Sequence, residues 1–322
     1  MKFFEKKKEG RRRIFYICGK KVLSYKKKQT KYDRIYAKRF AGLTRKEERY
    51  ILETQFERMA GYKLNLDNPK SFNEKIQWLK FNYRDPLMTK CADKVGVREY
   101  VKEKIGEEYL VPIIGVYGSV DEIDFDKLPE KFVAKVNWGS GQNIIVPDKS
   151  KLDVEDAKKK LRHWMKRESN HYYNFLEWVY KDIEPKIIVE EFLDGVDDLV
   201  DYKYMCYNSE PKNMFLVQNR AKGHEKMTMN FFDKDFNLLP FKRLYKNSNE
   251  VVEKPELWGE MLRLSKILAE PFPFVRVDFY MINGQLKIGE LTFSPGNGTE
   301  RFEPIEWDYN LGELLELPKG EI

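Results

Sequence analysis

The chain has 322 residues, of which 42% are hydrophobic and 14% are aromatic. This composition is typical of a globular protein and excludes a wholly disordered chain, and the length is sufficient for two or three subdomains. The net charge of +7 is uneven, because residues 1–39 hold 16 Lys and Arg against 3 Asp and Glu, whereas the remaining residues hold 43 against 49. The basic character therefore belongs to an N-terminal arm, and the body is mildly acidic.

Cysteine and histidine usage argues against a disulfide framework and against zinc. The three cysteines are widely spaced and odd in number, whereas a disulfide framework needs pairs. His163, His171 and His224 show no metal-ligand spacing, so we interpret them as surface or packing residues. No apolar run approaches the roughly 20 residues that span a bilayer, and the start lacks an apolar signal-peptide core. These features predict a cytoplasmic protein.

The basic arm alternates clusters of Lys and Arg with aromatic and aliphatic residues. Lysine and arginine are attracted to anionic lipid by about 1 kcal/mol each, and inserted aromatic side chains add to that attraction. Peripheral contact with the inner membrane surface is one interpretation. A solvated arm, or one that touches nucleic acid without sequence specificity, is the other.

Helices dominate the region after the arm. One helix is predicted over residues 43–61 with Thr44 as its N-cap. A second begins at Ser71 with a capping box, and a third ends at Gly106. A strand over residues 109–117 follows.

Residues 131–147, KFVAKVNWGSGQNIIVP, predict two strands, 132–136 and 143–146, joined by a glycine-rich loop. Small residues let backbone N–H groups approach an anion closely, and Lys135 at the end of an apolar strand could reach a phosphate. The loop matches neither a Walker motif nor a dinucleotide fingerprint. An ordinary turn is the alternative interpretation.

The next region mixes helices and strands. A buried strand over residues 186–193 includes Glu190 and Glu191, which are either a solvated strand end or acceptors for an amino group of a ligand. The other predicted elements are helices over residues 153–167 and 174–182, strands over 201–208, 212–220 and 227–232, a helix over 255–270 and a final helix over 307–315.

Residues 274–298, FVRVDFYMINGQLKIGELTFSPGNG, hold the most informative pattern. Two β-rich runs flank an Asn-Gly pair, which is a strong hairpin signal. Arg276 and Asp278 are two residues apart, as are Glu290 and Thr292, so each pair shares a face. Carboxylates are costly to bury unless a positive charge meets them, and Mg²⁺ is usually held by one or two carboxylates plus substrate phosphates. An exposed hairpin whose charges face water is the alternative.

The parity of this hairpin makes a structural prediction. With an unbulged two-residue turn, Asp278 would pair with Gly289, and Glu290 would point to the opposite face. With an odd-length loop closed by Gly284, Arg276 falls opposite Glu290, and the polar residues share one face. We therefore predict an odd-length turn or a compensating bulge, with Gly284 at positive φ.

The order of these motifs resembles that of the ATP-grasp family. Asp93-Lys94, a strand lysine with a Gly-Ser-Gly loop, I-V-E-E-F-L-x-G and R-V-D…E-x-T-x-S-P-G follow one another between residues 90 and 298. The block SFNEKIQWLKFNYRDPLMTKCADKVGVREYVKEKIG resembles the TupA-like branch, named for teichuronopeptide synthesis. It extends the resemblance to residues 46–304.

The resemblance implies an α+β, ATP-grasp fold in which two α+β subdomains with antiparallel sheets hold ATP between them. The expected domains are a basic N-terminal arm (residues 1–39), a helical pre-grasp region (40–118), a small subdomain with the glycine-rich loop (119–193) and a large subdomain with the catalytic hairpin (194–322).

The resemblance also implies a role for each matching residue. Two lysines would touch phosphate and adenine, the glycine-rich loop would close over the phosphates, and acids would accept from adenine and ribose. The implied ATP-binding residues are Lys94, Lys135, Gly139, Ser140, Gly141, Gln142, Glu190, Glu191, Phe192, Leu193 and Asp197. The implied Mg²⁺ ligands are Asp278, Glu290 and Thr292, and the implied catalytic residues are Arg276, Asp201 and Lys203. Thr292 departs from the usual E-x-N pattern, and a hydroxyl is a shorter and less polar ligand than an amide oxygen.

The implied activity is a carboxylate–amine ligase that depends on ATP and Mg²⁺. A carboxylate attacks the γ-phosphate, and an amine captures the acyl phosphate, which needs positioning and charge neutralisation rather than a covalent nucleophile. The expected partners are ATP, a uronic-acid or glutamate-type polymer of the cell surface as carboxylate acceptor, and an amino acid or amino sugar as amine, with no specific nucleic acid. The alternatives are a kinase that phosphorylates a sugar hydroxyl with Asp201 as base, and a non-catalytic ATP-binding protein at the membrane surface.

Overall fold

The computed structural model describes residues 4–9, 12–18, 20–26, 28–193, 200–219 and 224–319. The chain divides into two compact units, Met1–Thr54 and Gln55–Ile322. Among the described residues, the helices are all too short or too polar to cross a membrane.

The first unit contains a small antiparallel sheet. Its strands are β1 (Phe4–Glu9), β2 (Arg12–Ile17) and β3 (Lys20–Lys26), in that spatial order. Helix α1 (Lys31–Ala37) follows, capped by Thr30. The segment predicted to be an N-terminal arm forms these strands, and β2 and β3 contain aromatic and β-branched residues, which favour strands.

Helix α2 (Arg45–Ala60) carries the chain into the second unit. Three helices follow: α3 (Phe72–Asn82), α4 (Pro86–Ala92) and α5 (Val97–Lys104). The predicted capping box is confirmed, because Ser71 accepts from the backbone N–H of Glu74 and the Glu74 carboxylate accepts from that of Ser71. The sequence analysis does not predict α4, although Asp85 caps it and proline occupies its first position.

The smaller sheet of this unit has four antiparallel strands. They are β4 (Ile113–Tyr117), β5 (Phe132–Val136), β6 (Asn143–Val146) and β7 (Ile187–Glu191), in the spatial order β4-β7-β5-β6. The predicted bounds of β5 and β6 are confirmed.

Two helices lie between β6 and β7 along the chain, α6 (Val154–Trp164) and α7 (His171–Phe175). The predicted helix over residues 174–182 is wrong. Asn170 caps α7 before that range begins, and Leu176 ends the helix in the left-handed region at φ 57°. Aromatic residues beyond it made the segment resemble a continuous amphipathic helix.

The larger sheet has six antiparallel strands. Its spatial order is β11-β10-β9-β8-β13-β14. The strands and the elements around them are β8 (Asp201–Tyr207), β9 (Glu210–Gln218), β10 (Thr228–Asp233), β11 (Leu238–Leu239), β12 (Lys242–Arg243), α8 (Trp258–Ala269), β13 (Phe274–Ile282), β14 (Gln285–Thr292), β15 (Phe302–Glu303) and α9 (Glu306–Glu313).

The two faces of the larger sheet have opposite character. Val275, Val277 and Phe279 are fully buried in the core, and α8 contacts the same strand. The alternating residues Arg276 and Asp278 point to the other face, as the period of two predicts. The predicted α+β class with antiparallel sheets is confirmed, and a polar face on β13 is available for a site.

Candidate active site

The hairpin formed by β13 and β14 turns through two residues. Asn283 and Gly284 have φ values of 50° and 73°, and the flanking residues Ile282 and Gln285 are paired. Positive φ at both turn positions is the geometry that an Asn-Gly pair favours. The predicted positive φ of Gly284 is confirmed.

A bulge corrects the parity of the hairpin. Asp278 pairs with Glu290, whereas the next pair joins Phe279 to Ile288, so Gly289 is the extra residue on its strand. The predicted compensating bulge is therefore confirmed, and the alternative of an odd-length turn is wrong. It is Asp278, rather than Arg276, that lies opposite Glu290.

Arg276 joins the two carboxylates on this face. Its Nε donates to Oδ1 of Asp278 at 2.6 Å, and its Nη2 donates to Oδ2 of Asp278 and to Oε1 of Glu290, both at 2.7 Å. The hydroxyl of Thr292 donates to the same Oε1 at 2.9 Å. Lys203, from the neighbouring strand β8, donates to Oδ2 of Asp278. The four charged side chains form one network.

Burial makes the charges of this network interdependent. Asp278 is 1% exposed and Lys203 is 7% exposed. Burial opposes ionisation of Glu290, but the charges of Arg276, Lys94 and Lys203 outweigh it and lower the pKa of Glu290 to about 2. The same carboxylates raise the pKa of Arg276 above its usual range although burial opposes them. Glu290 and Arg276 are therefore both charged at neutral pH.

Asp201 lies beside the network on the same face of β8. Its Oδ2 is 3.7 Å from Nζ of Lys203, and the residue is 1% exposed. Lys203 thus lies between Asp201 and Asp278. The structure brings together the three residues to which the sequence assigned catalytic roles and the three proposed metal ligands.

The chemistry of this donor set fits Mg²⁺. Two ionised carboxylates and a hydroxyl are hard oxygen ligands, and Mg²⁺ in nucleotide sites usually relies on one or two carboxylates together with phosphate oxygens. In the described part of the chain, His, Cys, Asp and Glu side chains do not form a ligand cluster of three or more. A metal at this hairpin would therefore rest on Asp278 and Glu290, with Thr292 beside them.

The second group of predicted residues lies on the smaller sheet. Nζ of Lys135 is 2.5 Å from Oε2 of Glu190, and a guanidinium nitrogen of Arg98 is 3.7 Å from Oε1 of the same carboxylate. Lys94 is close to Lys135, Glu190 and Glu290, and its pKa is lowered mainly by burial. Three cations therefore converge where the sequence predicted the adenine and phosphates.

Hydrogen bonds at its base hold the glycine-rich loop in place. Gly139 and Gly141 have φ values of 70° and 72°, a conformation that glycine adopts without strain. The carbonyl of Gly139 accepts from Nζ of Lys94 at 2.7 Å, and Nε2 of Gln142 donates to the carbonyl of Ser169 at 2.8 Å. A Cβ at Gly141 would meet no described atom within 4 Å. This open backbone is suited to close approach by an anion.

The remaining predicted residues lie at the end of β7. The side chain of Glu191 is exposed, and its N–H donates to the carbonyl of Pro112 at 3.0 Å. Phe192 lies 6.0 Å from the ammonium of Lys131, and Leu193 is half-buried. Asp197, the predicted ribose-binding acid, lies outside the described residues.

A cleft of about 700 Å³ connects the two groups. Its walls come from both sheets of the second unit and include Lys94, Lys135, the loop residues Gly139–Gln142, and the hairpin network. Two cleft residues, His171 and Glu177, were not predicted to belong to the site, and their side chains contact each other. His171 was interpreted as a surface or packing residue and lies outside the helix predicted over residues 174–182, so the sequence gave no signal for that contact.

A family model described as TupA-like ATP-grasp matches residues 74–316. The chain belongs to the TupA-like ATP-grasp family. The match includes α3, both sheets and the hairpin network, so the resemblance found in the sequence is confirmed. A comparison with the sequences of curated proteins finds no match.

Solved structures that resemble the TupA-like chain are ligases of low sequence identity. D-alanine–D-alanine ligase from Bacillus anthracis, in complex with ATP, is 14% identical over 63% of this chain and 55% of that one, with a TM-score of 0.37. L-amino acid ligase from Bacillus licheniformis is 14% identical over 67% and 44%, with a TM-score of 0.39. D-alanine–D-alanine ligase from Helicobacter pylori is 14% identical over 77% and 70%, with a TM-score of 0.38. The chain thus spans about half the length of the first two ligases.

Proposed function

We propose that this protein is an ATP- and Mg²⁺-dependent carboxylate–amine ligase that acts through an acyl phosphate. The observation that carries the proposal is the placement of Arg276, Asp278 and Glu290 on one face of the hairpin, with Lys94 and Lys135 lining the same cleft. Buried cations and carboxylates that face a cleft suit a reaction in which phosphate charge must be bound and neutralised.

Each end of the cleft has a proposed task. Lys94, Lys135 and the glycine-rich loop bind the phosphates of ATP, and Glu190 accepts from the adenine amino group. Asp278, Glu290 and Thr292 would hold Mg²⁺, which when bound neutralises charge on the transferred phosphoryl group. Phosphoryl transfer then needs alignment of a substrate carboxylate with the γ-phosphate.

Arg276 is the proposed stabiliser of the acyl phosphate and of the tetrahedral adduct. In the structure its guanidinium is bound to both carboxylates. Lys203 also contacts Asp278 and Asp201, so Asp278 keeps a positively charged partner when part of the guanidinium turns to substrate. A bidentate donor of fixed planarity suits an acyl phosphate better than a lysine would.

The acceptor that we propose is a carboxylate of a cell-surface polymer, such as a uronic-acid or glutamate-type chain, and the amine is an amino acid or amino sugar. This assignment rests on the family, whose name refers to a polymer of that kind.

The test is Mg²⁺-dependent ADP formation by the full chain with uronic-acid oligomers, in the presence of hydroxylamine to trap an acyl phosphate as a hydroxamate. A ligase forms the hydroxamate, and Asp278→Asn abolishes it, whereas Glu303→Gln at an exposed carboxylate retains it. Phosphorylated oligosaccharide without hydroxamate would instead identify a kinase. Nucleotide binding without ADP formation would identify a non-catalytic protein.

We also propose that the first unit contacts the inner membrane surface. Its sheet exposes Ile17, Val22 and Leu23 by 40%, 54% and 53% of their surfaces, next to Lys20 and Lys21 on β3. Exposed apolar side chains beside lysines are suited to an anionic lipid surface. Salt-sensitive binding to anionic vesicles is the expected result.

A further inference from the structure

A histidine–glutamate pair lies in the cleft beside the glycine-rich loop. His171 begins α7, and the side chain of Asn170 fixes that start by accepting from the N–H of Tyr172 at 2.8 Å. Nδ1 of His171 lies 3.3 Å from Oε1 of Glu177, which is only 4% exposed. This contact engages Nδ1 of the imidazole and leaves Nε2 at the opposite edge of the ring.

The opposite edge of the imidazole faces the loop. A Cβ at Gly139 would lie 3.1 Å from Cδ2 and 3.2 Å from Nε2 of His171, so this edge of the ring faces Gly139. The carbonyl of the same glycine accepts from Lys94. The side chain of His171 is 22% exposed and lines the cleft. Nε2 is therefore the end of the pair that faces the glycine-rich loop and the proposed phosphate site.

Buried neighbours hold the pair in place. The rings of Phe175 and Tyr180 pack edge-on against the imidazole, with centroids 5.6 and 5.7 Å away. Glu177 is near Lys80, whose pKa is lowered to about 8 by burial although the charge of Glu177 raises it. Burial, followed by the charges of Glu177 and Glu290, raises the pKa of Tyr180. Tyr180 thus lies between the histidine–glutamate pair and the catalytic hairpin.

We propose that His171, oriented by Glu177, is the general base that deprotonates the attacking amine. The inference rests on the proposed ligase function. An amine that is protonated at neutral pH cannot attack a carbonyl carbon until it loses a proton. A neutral imidazole with its lone pair at Nε2 is the side chain best suited to accept that proton near neutral pH.

The proton and electron pairs balance in this step. The proton leaves the ammonium for Nε2, and the nitrogen lone pair forms a bond to the carbonyl carbon of the acyl phosphate. The bond between that carbon and the phosphate oxygen breaks, and its electron pair leaves with inorganic phosphate, which takes the second proton that the nitrogen must lose to become a neutral amide. The imidazolium then returns the proton to solvent through the open side of the cleft. Its transient charge lies beside the departing phosphate, which adds a favourable attraction.

Two other roles for His171 make different predictions. A ring that only packs against the loop would affect folding or ATP binding, and an imidazolium that binds the phosphates of ATP would affect nucleotide affinity. A general base for the amine affects neither nucleotide affinity nor the first half-reaction. Hydroxylamine separates the two half-reactions, because it is uncharged at neutral pH and attacks an acyl phosphate without a base.

The experiment compares the wild type with His171→Gln, Glu177→Gln and His163→Gln, the last at an exposed histidine in α6. Each protein receives MgATP and uronic-acid oligomers, with either hydroxylamine or a mixture of L-amino acids as nucleophile, and MgATP affinity is measured by calorimetry. For His171→Gln we expect MgATP affinity and hydroxamate formation within about threefold of the wild type, but amide formation slower by about 100-fold or more. Glu177→Gln should lower amide kcat less, and His163→Gln should change nothing.

Added imidazole should restore part of the amide formation of His171→Ala, which a packing role would not allow. Equal losses of hydroxamate and amide formation, or weaker MgATP binding, would show that His171 binds the phosphates or supports the loop. Either result would overturn the proposal that His171 is the general base. An unchanged amide rate would overturn it as well. If the wild type itself forms no hydroxamate with any carboxylate, the ligase proposal is wrong, and the proposal that His171 is its general base is wrong as well.

Discussion

Replacement of Glu290 by glutamine tests whether the cations of the network hold this carboxylate in its ionised form. A carboxyl whose pKa falls from an ordinary 4.5 to about 2 stabilises the folded state by about 3 kcal/mol at neutral pH. The Glu290 side chain is 30% exposed, so screening by solvent reduces this to about 2 kcal/mol. Glu290→Gln should lower the free energy of unfolding by that amount at pH 7.

The direction of the pKa shift of Glu290 determines how its contribution to stability changes with pH. Because the folded-state pKa is depressed, the stabilisation is complete above the ordinary pKa of 4.5 and is lost as the pH falls towards about 2. The difference between the wild type and Glu290→Gln in urea unfolding should therefore be constant from pH 7 to 5.5 and smaller by about 1 kcal/mol at pH 3.5. Glu253→Gln, at an exposed position, is the matched control. A difference that does not shrink with acid would refute the reasoning that Arg276 and the lysines act on this carboxylate.

Three further predictions concern the cleft and the first unit. Lys135→Ala should abolish detectable ATP binding in calorimetry while the thermal unfolding temperature stays near that of the wild type, because the lysine faces the cleft; normal ATP affinity in a folded variant would contradict the phosphate role. Deletion of Gly289 should leave Glu290 opposite Asp278. Insertion of a second glycine at the same place should turn Glu290 to the other face and weaken Mg²⁺-dependent nucleotide binding roughly tenfold or more. Equal effects of the two changes would contradict the conclusion that the bulge brings Glu290 to the face of Asp278. Removal of residues 1–39 should leave turnover of soluble substrates unchanged and reduce sedimentation with anionic vesicles at low salt, and vesicle binding that survives the deletion would exclude the membrane proposal.

The sequence was sufficient for features that depend on local period and on the chemistry of turns. The alternation of Arg276 and Asp278 with apolar residues predicted which face of β13 is polar, and a count of residues around the turn predicted that something must shift the register. The position of the shift, at Gly289, was not predicted, although an isolated glycine within a strand often marks a bulge.

Contacts between distant segments explain most of what the sequence could not predict. The ion pair between Lys135 and Glu190 joins adjacent strands that are far apart along the chain, and no periodicity encodes such a pairing. His171 and Glu177 are near in sequence, but their contact depends on the left-handed turn at Leu176 that ends α7. A leucine in that conformation has no reliable sequence signal, so a helix was predicted over residues 174–182 instead, and the pair was missed.

The hydrogen bonds of Arg276 connect the proposed metal site to the proposed substrate site. Its guanidinium donates to both carboxylates that would hold Mg²⁺, and the same nitrogen atoms are needed to face an acyl phosphate. A carboxylate that gains a divalent cation no longer needs the arginine for charge balance, so the guanidinium becomes available only when another positive charge reaches Asp278 or Glu290. Lys203 also donates to Asp278, so Asp278 has a second cationic partner. The hydrogen bond to Glu290 is therefore the one that Arg276 must break. The network therefore favours an order in which nucleotide and metal bind before the acceptor carboxylate is engaged.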